Sequence, residues 1–70
     1  MAFEISPILD AHGNGKAFFE YYSDIFIGLT ESEIVAQSKL AANRLLDKEI
    51  ISKDNWDMFR EGIIVKWMES

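Results

Sequence analysis

The chain has no cysteine, one proline, one histidine and four glycines in 70 residues, and its acidic residues outnumber its basic ones by twelve to seven. The lack of cysteine removes any disulfide framework, and a lone histidine without thiols cannot build the usual Cys/His structural zinc site. Apolar residues alone must hold the fold. A chain this short buries only roughly 60% of the surface its unfolded form exposes, which predicts one domain with a modest core and marginal stability. No apolar run approaches the roughly 18 residues that a membrane span requires, so a soluble domain is expected. Met1-Ala2-Phe3-Glu4 places no basic region ahead of an apolar stretch, unlike a secretory leader, and a cytoplasmic location is expected. The formal charge of -5 repels phosphate backbones and favours basic partners, which argues against nucleic-acid binding.

What is present is apolar and helical in its spacing. Hydrophobic residues make up 49% of the chain, including two Trp, two Tyr and five Phe. Ser6-Pro7 reads as a cap and first turn, predicting a short helix that stops at His12-Gly13-Asn14-Gly15, a concentrated turn signal. From Lys16 to Ile27, Phe18, Tyr21, Tyr22 and Ile25 fall on one face with Phe19 and Phe26 beside it, predicting a second helix ended by Gly28. Leu29-Thr30-Glu31-Ser32-Glu33-Ile34 is a complete helix start, with Thr30 as cap and Glu33 as its reciprocal partner. The third helix turns Ile34, Val35, Ala41, Ala42, Leu45 and Leu46 inward and stops near Lys48. Ser52 caps a fourth helix whose Trp56, Phe59, Ile63 and Trp67 recur at spacings of three and four, reaching almost to the end.

One segment suggests chemistry. Asp10 and Asn14 are oxygen ligands on one side of a glycine, Gly15, that permits a sharp turn before Phe18-Phe19-Glu20-Tyr21 resumes a helix. A chain folds in that way around a hard cation such as calcium. On these residues the segment resembles the loop of the EF-hand, calmodulin-like family, with His12 at the loop's third position and Tyr21 at its twelfth. Leu45-Leu46-Asp47-Lys48-Glu49-Ile50-Ile51-Ser52 echoes a second such motif with its metal loop cut away. The resemblance implies an all-α fold of four short helices forming a pair of EF-hand-like helix-loop-helix units. Residues 1–28 would be the first hand, with its loop at 10–21, and residues 30–70 a second hand with a truncated loop. It makes Asp10, His12, Asn14, Lys16 and Glu20 the candidate metal positions, for a single calcium at most. Myosin light chains are the members of that family that grip a basic, IQ-type helix constitutively. The implied function is therefore a non-enzymatic, single-lobe subunit that binds an amphipathic basic helix of a larger protein such as a myosin heavy chain, largely without calcium.

Apolar positions beyond the needs of a small core supply the expected partner surface: Phe19, Tyr22, Phe26, Met58, Ile63, Trp67 and Met68. Methionine suits such a groove because its side chain adapts. Three alternatives follow from the same residues. One is a calcium sensor or buffer using the 10–21 loop, another is a small acidic inhibitor that masks a basic surface, and the third is a self-associating module.

Overall fold

The computed structural model describes residues 3–70. It is all-helical, with no strand among the described residues: α1 Ala11–Tyr21, α2 Ser23–Phe26, α3 Glu31–Asp47 and α4 Lys53–Glu69. The last two match their sequence signals closely. Thr30 caps α3 through the expected capping box, the Glu33 N–H donating to Thr30 Oγ1 at 3.3 Å and the Thr30 N–H donating to Glu33 Oε1 at 2.9 Å. These bonds, the backbone one foremost, hold the Glu33 carboxyl below its ordinary value of 4.5. Ser52 sits at the start of α4 with the expected extended backbone, although its side chain makes no cap bond.

The first quarter of the chain corrects the sequence reading. Residues 10–21 do not form a turn or a cation-binding loop; they are the cap and body of α1. Ser6 does not cap a helix. The Ser6 carbonyl instead accepts from the Leu9 N–H in a turn, and Asp10 caps α1 by accepting the Gly13 N–H at 2.7 Å. Each glycine inside a helix costs roughly 1 kcal/mol relative to alanine, so propensity alone favours the turn. Tertiary packing reverses that preference. Gly15 lies directly against α4, where a Cβ would strike the Phe59 carbonyl oxygen, and Gly62 lies against α1, where a Cβ would strike the His12 carbonyl oxygen. The two backbones touch at this glycine pair, and no larger residue fits on either side.

Helix α1 kinks at Tyr22, whose φ of -110° and ψ of 33° separate it from the single turn of α2. A type II turn follows. Ile27 has φ -70° and ψ 137°, Gly28 has φ +82°, and the Leu29 N–H reaches back to the Phe26 carbonyl. The α3–α4 connection is a Schellman motif, with the Ile50 N–H donating to the Leu45 carbonyl at 2.9 Å and the Glu49 N–H donating to the Leu46 carbonyl at 3.0 Å. Glu49 occupies its left-handed position at φ +60°, where glycine is the usual occupant.

Helix α4 is the hub. Both α1 and α3 pack on it, and they hardly touch one another. The core comprises Phe19, Phe26, Ile34, Ala42, Leu45, Ile51, Phe59 and Ile63. Phe18 joins it from the edge, with its ring 5.4 Å from Phe59 and 6.0 Å from Phe26, while Phe19 stacks on Phe26 at 5.3 Å. Polar ties fix α4 at both ends. Trp56 Nε1–H donates to Asn43 Oδ1 at 2.9 Å, Arg60 Nε donates to the buried Ser38 hydroxyl at 3.2 Å, and Trp67 Nε1–H donates to the Leu29 carbonyl at 3.2 Å. Two ion pairs, Lys66–Glu20 at 3.0 Å and Lys16–Glu69 at 3.5 Å, join α4 to α1 at the surface. The Cα radius of gyration of 10.9 Å matches the about 11 Å of a fully compacted chain of this length.

Three substitutions separate the roles of these backbone positions in chemical denaturation. Gly15→Ala or Gly62→Ala is expected to remove about 3 kcal/mol or more, because backbone rather than a flexible side chain blocks the new methyl. That is a large share of the about 4–10 kcal/mol expected for a domain of this size. Gly28→Ala meets nothing within 4 Å and should cost only the roughly 1–2 kcal/mol of placing a side chain at positive φ. Glu49→Gly should stabilise by about 1 kcal/mol by releasing the same strain. A Gly15→Ala effect no larger than that of Gly28→Ala would disprove the tight crossing. The Glu33 cap predicts a pH effect of defined sign. A folded-state pKa below the ordinary one gives stability that is present above about pH 4.5 and lost as pH falls through the lowered value. Comparing thermal melts of the parent and Glu33→Gln between pH 6 and pH 3 should show that component absent from the variant.

Candidate functional site

The residues expected to hold calcium are committed to the helix and its neighbours. Asp10 caps α1. Asn14 is buried, and its side-chain amide donates to the carbonyls of Ser6, Leu9 and Asp10 at 3.1, 3.3 and 3.1 Å while its Oδ1 accepts the Ser6 N–H at 2.8 Å. It therefore pins residues 6–10 to the start of α1, with no oxygen left to offer a cation. The His12 backbone rests on Gly62, Lys16 pairs with Glu69, and Glu20 pairs with Lys66. The Glu20 carboxylate raises the Lys66 pKa above its ordinary value, chiefly by hydrogen bonding. A helix also spreads positions 10, 12, 14, 16 and 20 around its circumference instead of converging them. These residues do not fit a calcium ion. Among the described residues, no group of three or more His, Cys, Asp or Glu side chains is placed to hold a metal.

The seven residues expected to form a partner surface are dispersed. Phe19, Phe26 and Ile63 are buried in the core, which corrects their placement on an open groove wall. The cause is the kink at Tyr22 and the glycine crossing, which press the second aromatic face of α1 onto α4. Met58 is exposed on α4 away from any groove. Trp67 and Met68 line an open cleft of about 410 Å³ with Ile27, Gly28 and Ser70. Tyr22 and the edge of Phe26 reach a different groove, lined by aromatic rings.

That groove, of about 290 Å³, runs between the α1–α2 corner and α3. It exists because α1 and α3 dock on α4 and leave a cleft between themselves. Phe3, Phe18, Tyr22 and Phe26 form its aromatic side, with Phe3 edge-on to Phe18 at 5.1 Å and Tyr22 tilted against Phe18 at 4.8 Å. Its lips are the exposed aliphatics Ile25, Leu40 and Ile50, at 59%, 56% and 41% exposure. Among the described residues, Arg44 and Lys48 are the sole charged ones that line it. Leu40 and Ile50 escape sequence reasoning because they stand outside the inward stripe of α3 and beyond its end. An apolar residue off the buried stripe was the available signal.

A second, broader groove of about 820 Å³ lies across the α3–α4 corner, between it and residues 5–14. Ile5, Leu9, Leu46, Ile50 and Ile51 supply much of its apolar lining, and among the described residues the sole charged ones here are Asp10 and Glu49. Ile50 borders both grooves and so stands on the ridge between them. One wall of that ridge carries cations and the other carries anions. Among the described residues no helix is long and apolar enough to cross a membrane.

The commitments of Asp10 and Asn14 lead to a direct expectation. A calcium titration to millimolar concentration should leave the amide signals of Gly13 and Gly15 in place, whereas a saturable shift at micromolar calcium would mean that α1 opens into a loop around the ion. No family model, curated protein or solved structure matches the chain, so its function has to be read from these two grooves.

Proposed function

We propose that the chain is a non-enzymatic protein-binding module that grips an amphipathic helix of a larger protein in the aromatic groove, independently of calcium. The observation that carries this reading is the groove itself. Aromatic rings line a cleft whose three aliphatic lips, Ile25, Leu40 and Ile50, are left substantially exposed. Contiguous exposed apolar surface of this kind marks interaction sites, and a helix docks by setting anchors at spacings of three and four into such a cleft. Each lip side chain that a partner covers contributes about 25 cal/mol per Å² of apolar surface removed from water. The polar edge of the bound helix is set by Arg44 and Lys48, which favour Asp or Glu at positions facing α3.

The resemblance to helix-gripping light chains motivated a basic helix, as did the net charge of -5. A basic helix finds its match in the other groove, where Asp10 and Glu49 flank the aliphatic lining. The two senses of charge are separable by experiment. Two synthetic helical peptides with the same apolar pattern, one bearing Glu and one bearing Lys along the polar edge, are titrated into the labelled chain. The Glu peptide should shift the amides of Ile25, Leu40, Ala41 and Arg44 saturably, and Leu40→Glu should weaken it at least about tenfold, since a charge would be buried against the partner. The Lys peptide should shift Leu9, Asp10 and Glu49 instead. The proposal fails if the Glu peptide gives no saturable shifts at the aromatic groove up to millimolar concentration, even where the Lys peptide binds the other groove.

A further inference from the structure

The two grooves carry a relation to each other that neither shows alone. They share Ile50, they lie on either side of the α3–α4 corner, and their charges are opposite: Arg44 and Lys48 on one wall, Asp10 and Glu49 on the other. Positions 48, 49 and 50 are consecutive, so a cation, an anion and an exposed aliphatic side chain stand together at the corner. A two-fold symmetric contact requires one patch that is complementary to itself, such that residue i of one copy meets residue j of the other and j meets i. This corner meets the requirement.

We infer that the partner covering the corner is a second copy of this chain, in an isologous dimer whose two-fold axis passes beside Ile50. In that pairing Lys48 and Arg44 of each copy face Glu49 and Asp10 of the other, and Ile50 of each copy seats in the groove that its mate leaves open. Leu9, at 43% exposure, and Leu40, at 56%, flank the axis and lose water as the corner closes. A contact of ordinary size covers about 800 Å² per partner, about a sixth of the 4786 Å² this chain exposes. The charges supply register. Like charges meet when one copy slides along the ridge, so the symmetric alignment is selected over its neighbours.

Glu49 acquires a role in this arrangement. Its φ of +60° and its position just beyond the α3 C-terminus both disfavour a carboxylate in the monomer, the first by backbone strain and the second by the helix dipole. A cation from the mate stands where it offsets the second of these.

The test needs no outside partner. Sedimentation equilibrium of the full chain from micromolar to millimolar concentration should show a monomer–dimer transition. Lys48→Glu and Glu49→Lys should each weaken it at least about tenfold, because every substitution places like charges together twice across the axis. An equimolar mixture of the two variants should dimerise at near-parental strength, since one cross-axis pair then keeps its parental sign and the other is restored with reversed sign. Circular dichroism establishes that each variant is folded. Glu49→Gly serves as a second readout, expected to raise the melting temperature of the monomer while weakening the dimer, a combination that a purely structural role cannot give. A monomer at every concentration overturns the inference. So do a dimer indifferent to the swaps, a mixture that fails to recover, and open-ended assembly, which would indicate a heterologous contact. The second copy and a partner helix would compete for the same aromatic groove, and the sedimentation experiment, which contains no peptide, tests the dimer separately from the peptide titrations.

Discussion

The contact of Gly15 with Gly62 sets the positions of everything else. Two helix backbones in van der Waals contact bring the side chains on either side of the crossing into close register, which is why Phe18 and Phe59 meet edge to face. The same closeness explains why α1 survives two glycines in its sequence: the lost propensity is small beside the apolar area that a tight crossing buries. Asn14 adds the second constraint, tying the segment before the helix to its first turn. With α1 fixed to one side of α4 and α3 to another, the space between α1 and α3 cannot close. The aromatic groove is therefore a consequence of the packing, because filling it would require α1 and α3 to leave the helix that holds them both.

Local charge departs from net charge in an instructive way. The chain is acidic overall, yet among the described residues Arg44 and Lys48 are the charged ones that line the aromatic cleft. A partner at contact distance responds to the nearest groups, since charges more than about 10 Å away are largely screened at ordinary ionic strength. The total of -5 governs colloidal behaviour and long-range approach. The local field within the two grooves is set by positions 44, 48, 49 and 10.

The sequence made the second half of the molecule legible and obscured the first. At Thr30 and Glu33 the information is local: two side chains three residues apart satisfy each other's backbone, and nothing distant can improve on it. Trp56, Phe59 and Ile63 likewise declare α4 by their own spacing. His12-Gly13-Asn14-Gly15 is the opposite case. Its local preference is a turn, and that preference is overruled by Gly62, a residue that no window along the sequence connects to it. The calmodulin-like reading of residues 10–21 drew on the same ambiguity, because a capping aspartate, a buried asparagine and a glycine make a helix start or a ligand loop according to what packs against them. The aromatic residues of α1 and α2 stand on more than one face, Phe19 in the core and Phe18 and Tyr22 along the groove. Their division between core and groove depends on the kink at Tyr22, which has no proline and no glycine to announce it.

The position of the crossing also bears on how the molecule folds. Its two glycines stand at 15 and 62 in a chain of 70, so the principal helix contact joins the two ends of the sequence. Helical domains usually fold quickly because their contacts are local. This one has to close a loop spanning most of its length before α1 gains anything by being helical, and until then its glycines favour the coil. During synthesis α1 emerges before α4, so the aromatics of α1 remain without their partner until α4 has been made.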